Sequence, residues 1–248
     1  MVFYVVYRAS EEFKNRRLIP RRLKALGCRR IRGSFWEVDD EKVNDVLKLL
    51  QGNQPILLRR LREIRKPKFD KESNLIDFGS LVVFVYRAEE KDEMSKIRKL
   101  LKRAPCIRLC RAVYAFSQNH SFFDSKKDLI DARGFWMLIQ EIDKNVKVFP
   151  RMVIANSESV TVLLERVKMR IEKGINDIVM GYRDLYRRAV NGEIDKRNLR
   201  EEQLKLDRKF NLIKKLSSFY EKWLEMDLSK IITKPYPFIR KIRSIDKK

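Results

Sequence analysis

The chain opens on an unbroken apolar, β-branched and aromatic run, Val2-Phe3-Tyr4-Val5-Val6-Tyr7, which reads as a central strand. Arg8-Ala9 ends it, and Ser10 with Glu11 and Glu12 supplies a cap and an acidic first turn for a helix. Phe13, Leu18, Leu23 and Leu26 give that helix its apolar positions, and Gly27 is the natural stop. Pro20 either kinks the helix or marks its true beginning, because its ring removes a backbone donor and crowds the preceding turn. Cys28 to Arg32 then alternates, Gly33-Ser34 turns the chain, and Phe35-Trp36-Glu37-Val38 returns as the second arm of a hairpin. Asp39-Asp40-Glu41 caps a second helix carrying Val43, Val46, Leu47 and Leu50. A last strand starts at Pro55-Ile56-Leu57-Leu58 and runs into Arg59, Arg60 and Arg62. Strand, helix, strand, strand, helix, strand is the order of a split βαβ, or ferredoxin-like, module.

The same pattern then returns. Val85-Tyr86-Arg87-Ala88-Glu89-Glu90 repeats Val6-Tyr7-Arg8-Ala9-Ser10-Glu11 at an offset of 79. After a one-residue slip, Leu101-Lys102 matches Leu23-Lys24, Cys106 matches Cys28 and Arg108 matches Arg30. Val113-Tyr114-Ala115-Phe116 corresponds to Phe35-Trp36-Glu37-Val38, Asp128 to Ile142 supplies the second helix, and Val146 to Ala155 the final strand. Agreement in type, order and spacing over such a stretch indicates duplication. The predicted fold class is α+β, with two tandem ferredoxin-like (βαββαβ) modules at 1–65 and 81–155 joined by a polar linker at 66–80.

From Ser157 the period changes from two to that of a helix. Val160, Leu164, Val167, Ile171, Ile175, Ile178 and Val179 mark one long amphipathic helix reaching about Val190. Asn191-Gly192 is a turn signal, and Leu199, Leu204, Leu206, Phe210, Ile213, Leu216, Phe219, Tyr220 and Trp223 mark a second helix. Residues 157–230 therefore read as a helical hairpin, and 231–248 as a basic tail that would form an extended arm.

Charge changes the picture from fold to partner. Lys and Arg number 57 against 34 Asp and Glu, a net charge of +23. A solvated surface of mixed charge would lie near balance, and an excess spread over both copies and the helices is one that a polyanion would hold. Nucleic acid is the leading partner; an anionic membrane or an acidic protein are the alternatives. The basic positions that would carry such binding are Arg29, Arg30 and Arg32, then Arg59, Arg60, Arg62, Arg65 and Lys66, then Arg108 and Arg111. Alternate strand residues share a face, which would place Arg30 with Arg32 and Arg60 with Arg62. Trp36 and Tyr114 would either stack on bases or, as sheet aromatics usually do, fill the core.

The remaining chemistry is sparse. Three cysteines and one histidine cannot make a Cys/His zinc site, and an odd cysteine count fits a reducing, cytoplasmic setting. Cys28 and Cys106 fall at equivalent positions and read as packed thiols. His120 stands alone in a loop, and no nucleophile elbow or Gly-rich phosphate loop is present. Asp124, Asp128 and Asp131 share a helical face and are the one acidic group, besides the capping set Asp39-Asp40-Glu41, that a metal-dependent nuclease would use. No apolar run approaches the roughly 18 residues of a membrane span, no basic n-region precedes the opening strand, and no cofactor is expected. Sparse Asn and Gln with high charge fit a thermophilic source.

Tyr4-Val5-Val6-Tyr7, the basic helix ending Leu23-Lys24-Ala25-Leu26-Gly27, and Gly33-Ser34-Phe35-Trp36-Glu37-Val38 together resemble the small CRISPR adaptation subunit with a ferredoxin-like fold. The N-terminal domains of chromate-resistance and phenylacetate-type regulators resemble the same module, and the long C-terminal helical pair is similar to that of the chromate-resistance group. In the CRISPR family an Asp just after the first strand is paired across a dimer to hold a divalent metal. Here Arg8 and Arg87 stand at that position in the two copies. A guanidinium cannot ligate a hard cation, but it forks onto phosphate oxygens; the alternative is a structural ion pair with the Glu residues that follow. The resemblance thus implies a non-catalytic or regulatory nucleic-acid-binding pseudo-dimer within one chain. Its rivals are a nuclease with a displaced acidic site and an assembly subunit whose helical hairpin docks a protein.

Overall fold

A computed structural model of the chain describes residues 2–8, 17–87, 90–119 and 129–246. Ser10, Glu11, Glu12, Phe13, His120, Asp124 and Asp128 lie outside the described residues. The chain divides into two compact units, one of residues 1–125 with 130–166 and one of 126–129 with 167–248.

The first unit is α+β. Its elements run β1 (Val2–Val6), α1 (Ile19–Ala25), β2 (Arg29–Arg32), β3 (Phe35–Asp39), α2 (Val43–Leu49) and β4 (Ile56–Arg60). Two short strands follow, β5 (Lys68–Phe69) and β6 (Leu75–Asp77), and then β7 (Leu81–Val85), α3 (Lys91–Arg103), β8 (Cys106–Cys110), β9 (Val113–Ser117), α4 (Ala132–Gln140) and β10 (Lys147–Ile154). Pro20 stands in the first turn of α1, where its missing N–H has no intrahelical partner to lose, so it marks the start and not a kink. Helix α3 carries a capping box between Glu90 and Glu93, and α4 is capped by Asp131, which accepts from the Gly134 N–H at 2.7 Å.

Eight strands form one sheet in the order β2-β3-β1-β4-β10-β7-β9-β8, with every neighbouring pair antiparallel. The two repeated stretches are therefore halves of one body, joined where β4 pairs with β10. Each half places its strands fourth, first, third, second, and the order reads the same inward from either edge.

Strand alternation then sets the packing. Val5, Tyr7, Trp36 and Val38 pack with Ile19 and Leu23 of α1, Val46 of α2 and Leu50 just after it, forming one buried cluster. Phe84, Tyr86, Cys106 and Phe116 pack with Ile97, Leu101, Phe135 and Ile139 in the equivalent cluster of the second half. Trp36 is fully buried and Tyr114 stacks on Tyr86, so both are committed to packing. Tyr4, Phe35 and Phe149 meet at centroid distances of 5.0–5.5 Å. Each fully buried Val, Leu, Ile or Phe contributes about 1.5–3 kcal/mol. These side chains, not the surface ion pairs, hold the sheet.

The stretch expected to be a plain linker is ordered. β5 and β6 form a hairpin whose turn is tied by Asp70, which accepts from the Glu72 and Asn74 N–H groups. Ser80 then exchanges bonds with Arg65: Ser80 N–H donates to the Arg65 carbonyl at 2.9 Å and Arg65 N–H to Ser80 Oγ at 2.8 Å.

Helix α5 (Ser157–Val190) begins in the first unit. In the second unit, α5 from Val167 onward is joined by α6 (Lys196–Leu224), α7 (Ser229–Ile232) and α8 (Tyr236–Asp246). Gly192, at φ +72°, makes the turn between α5 and α6. Arg170 bonds Tyr220, Tyr182 bonds Asp207 and Arg188 bonds Glu202, a reversed order that makes the two helices antiparallel. Ile171, Ile175, Ile178, Phe210, Leu216, Tyr220 and Trp223 are buried as the spacing predicts, whereas Leu204 is exposed and Leu163 rather than Leu164 is fully buried. The expected extended arm is instead helical. α8 buries Ile239 and Ile242, and Phe238 and Lys241 make cation–π contacts to Arg183 and Tyr186 of α5.

Candidate functional site

The expected basic positions separate by their partners. Arg29 grips Glu37 through two bonds, Nε at 3.0 Å and Nη2 at 2.6 Å. Arg30 lies 5.6 Å over the Trp36 ring and donates to the Gly33 carbonyl. Arg32 reaches Asp143 at 3.0 Å. Arg30 and Arg32 therefore do not project together, because the ladder shifts register between them and the extra residue breaks the alternation. Arg59 is half-buried, with its Nε enclosed and without a hydrogen-bond partner among the described residues. Arg65, Lys66, Arg87 and Arg111 are exposed.

Arg60 and Arg62 are brought together as the spacing predicts. With Tyr4, Glu37 and Arg151 they line a cleft of about 430 Å³. Arg151 arrives there through a bulge in β10 between Phe149 and Met152, at φ +60°. Its N–H donates to Gln118 Oε1 at 2.6 Å and its Nη1 to the Arg62 carbonyl at 2.8 Å, which fixes the side chain across the cleft. Burial, then the charge of Glu37, pushes the Tyr4 phenol above its ordinary value, with Arg60 and Arg29 opposing. The phenol thus stays a hydrogen-bond donor at neutral pH. With Glu37 held by Arg29 and by the Tyr4 phenol, the cleft offers three guanidiniums to an anion.

A second basic group forms where β1 and β8 end. Arg8 donates its backbone N–H to the Asn53 carbonyl at 3.0 Å, leaving its side chain exposed. Arg166 of α5 donates from Nη1 to the carbonyls of Leu109 at 2.8 Å and Arg108 at 3.4 Å, and from Nη2 to Gln54 Oε1 at 2.8 Å. Burial, then the like charge of Arg8, pulls the Arg166 guanidinium below its ordinary value, with Cys110 opposing and Arg108 adding least. All of Arg166's described acceptors are neutral. Arg87, equivalent to Arg8, sits differently: its N–H donates to the Asp143 carboxylate at 2.7 Å.

Arg151, Arg166, Tyr4 and Glu37 escaped the sequence reading as site residues. Pro150 inside an apolar strand was the available signal for a bulge beside Arg151. Arg166 sits between the buried Leu163 and Val167, a spacing that puts it at the margin of the packed face.

Asp39 pairs with Lys42 at 3.2 Å and Asp131 caps α4, so these carboxylates have local partners. Among the described residues no group of three His, Cys, Asp or Glu is placed to hold a metal ion. Cys28, Cys106 and Cys110 are free and buried, and burial pushes the Cys110 thiol up to about 12. Among the described residues no helix is long and apolar enough to cross a membrane.

Comparison with protein-family models, curated proteins and solved structures finds no match.

Proposed function

We propose that this chain is a non-catalytic or regulatory nucleic-acid-binding protein that contacts the phosphate backbone through a fused pair of ferredoxin-like modules. The observation that carries this reading is the cleft in which Arg60, Arg62 and Arg151 converge beside Tyr4. Phosphate oxygens accept from guanidinium forks, and such contacts fix a strand without reading its sequence. The net charge of +23 supports the same partner, since phosphate contacts release counterions and make binding steeply salt-dependent. The fourth-first-third-second strand order in each half supports the ferredoxin-like reading, and the antiparallel β4–β10 seam supports a pseudo-dimer. The same strand order supports the resemblance to the small CRISPR adaptation subunit. Arg8 and Arg87 at its metal-binding position favour holding a polyanion over cleaving one.

The test is a titration of labelled single- and double-stranded DNA and RNA at increasing salt, followed by fluorescence anisotropy. Binding that weakens steeply with salt supports the reading, and affinity unchanged between low and high salt overturns it. Incubation of the same strands with Mg²⁺ separates the nuclease alternative.

A further inference from the structure

Between β4 and β5 the chain runs from Leu61 to Pro67 outside any strand or helix, yet its backbone is held at several points. Leu61 N–H donates to the Arg151 carbonyl at 2.8 Å, and the Arg62 carbonyl accepts from Arg151 Nη1 at 2.8 Å. Arg65 exchanges its two backbone bonds with Ser80, which is buried. Gly79 approaches so closely that a Cβ there would stand 2.6 Å from the Arg65 carbonyl oxygen. The main chain is thus tied to the bulge of β10 and to the residues just before β7. The side chains of Arg62, Glu63, Ile64, Arg65 and Lys66 are all exposed. A segment ordered through its main chain presents its side chains without the cost of fixing the backbone on binding.

The segment also continues the cleft. Arg60 and Arg62 line the cleft, and Arg65 and Lys66 extend the same run of cations, against one acid, Glu63. From Arg60 to Lys66 the chain spans at most about 20 Å. Apolar side chains are interleaved with the cations: Ile64 is 60% exposed, and Val2, which lines the cleft, is 45% exposed. Charge alone gives those two no role. A duplex turns its phosphates outward and stacks its bases inside, so it meets such a surface only through charge. A single strand brings its base faces within reach as well. We propose that the cleft and the Arg60–Lys66 segment form one path for a single strand of nucleic acid, with phosphates on the arginines and Lys66 and bases against Val2 and Ile64. The assignment rests on the nucleic-acid reading above and narrows its partner to the unpaired form.

The experiment is fluorescence anisotropy of the full chain with a short labelled strand of mixed sequence, as DNA and as RNA, and with the blunt duplex of the same sequence, at matched salt. Charge alone predicts tighter binding to the duplex, which carries more phosphates per unit length. The path predicts the reverse, with the single strand bound at least roughly tenfold more tightly. Arg65→Gln with Lys66→Gln is expected to weaken single-strand binding roughly tenfold and to flatten the dependence of log K on log salt by about 1.4, at about 0.7 for each lost phosphate contact. Both changes leave the backbone bonds between Arg65 and Ser80 in place. Ile64→Ser keeps every charge and is expected to narrow the preference for single strand over duplex at least roughly threefold. Lys68→Gln with Lys71→Gln, an equal charge loss on the exposed β5–β6 hairpin, is the control for bulk charge. Duplex bound as tightly as the single strand, an unchanged preference in Ile64→Ser, or equal losses in the Arg65/Lys66 and Lys68/Lys71 variants would each overturn the proposal. If both forms bind equally well with steep salt dependence, only the single-strand path falls and the proposed function stands. If neither form binds in a salt-dependent way, both fall.

Discussion

Arg32 and Asp143, 111 positions apart, are joined by a 3.0 Å ion pair that ties the first β-hairpin of one repeated half to the loop after α4 of the other. Asp143 is only 7% exposed and also accepts the Arg87 N–H at 2.7 Å and the Asn145 N–H at 2.9 Å. One carboxylate thus satisfies three donors, two of them from the chain around it and one from the far half. Asn53 holds the corresponding place in the first half, where its carbonyl accepts the Arg8 N–H.

Removing Asp143 therefore leaves buried donors without an acceptor. Asp143→Ala is expected to destabilise the protein by about 2–4 kcal/mol, and Arg32→Ala by less, because the backbone bonds to Asp143 survive. Urea denaturation of both single variants and the double variant measures this, and the cycle isolates the pair. Strict additivity would show that the two side chains do not couple.

Gly79 is expected to be intolerant of any side chain. It sits at φ +71°, and a Cβ there would lie 2.6 Å from the Arg65 carbonyl oxygen and 2.7 Å from Pro67 N. Those atoms are backbone and cannot swing away. Gly79→Ala should cost at least about 2 kcal/mol, from the strained φ and the clash together, whereas Gly33→Ala, with open space at φ +53°, should cost only about 1 kcal/mol. Thermal or chemical denaturation of the two variants checks the ranking.

The elements were legible where local pattern decides them. Val2–Val6, Leu81–Val85 and the α5 stripe follow from apolar runs and helical spacing, which neighbours reinforce and do not contradict. The hairpin of Lys68–Phe69 with Leu75–Asp77 was not legible, because its order comes from Asp70 bonding its own turn in a polar stretch. Nor was the helix Tyr236–Asp246, which Phe238 and Lys241 hold by contacts with Arg183 and Tyr186 far away in sequence. The site was half legible. Arg60 and Arg62 follow from strand direction, but Arg151 enters through a bulge and Arg166 through a helix contact. Charge counting could not foresee that Arg29 and Arg32 are taken up by Glu37 and Asp143.

The protein should lose stability in alkali. Burial pushes the Cys110 thiol up to about 12 from 9.0, and it raises the Tyr86 phenol too. The unfolded chain releases these protons first, so their contribution is fully present below about pH 9 and is lost as pH rises toward the folded values. The melting temperature should fall progressively above pH 9. At pH 8 none of the three buried thiols should react with a thiol reagent until denaturant is added. A flat melting profile to pH 10.5, or rapid labelling of the native protein, would contradict this.

Reversing the charge of Arg60 and Arg62 separates specific use of the cleft from the diffuse attraction of a basic body. Net charge alone draws any polyanion, and changing two charges among 57 would then alter affinity only slightly. If the cleft seats phosphates between Arg60, Arg62 and Arg151, Arg60→Glu with Arg62→Glu should weaken strand binding at least roughly tenfold and flatten the dependence of log K on log salt by about two. Lys68→Glu with Lys71→Glu, an equal charge change on the exposed β5–β6 hairpin, is the control and should leave the slope nearly as in the wild type. Equal losses in the cleft and hairpin variants would reduce the interaction to bulk charge and leave the cleft without a role in it.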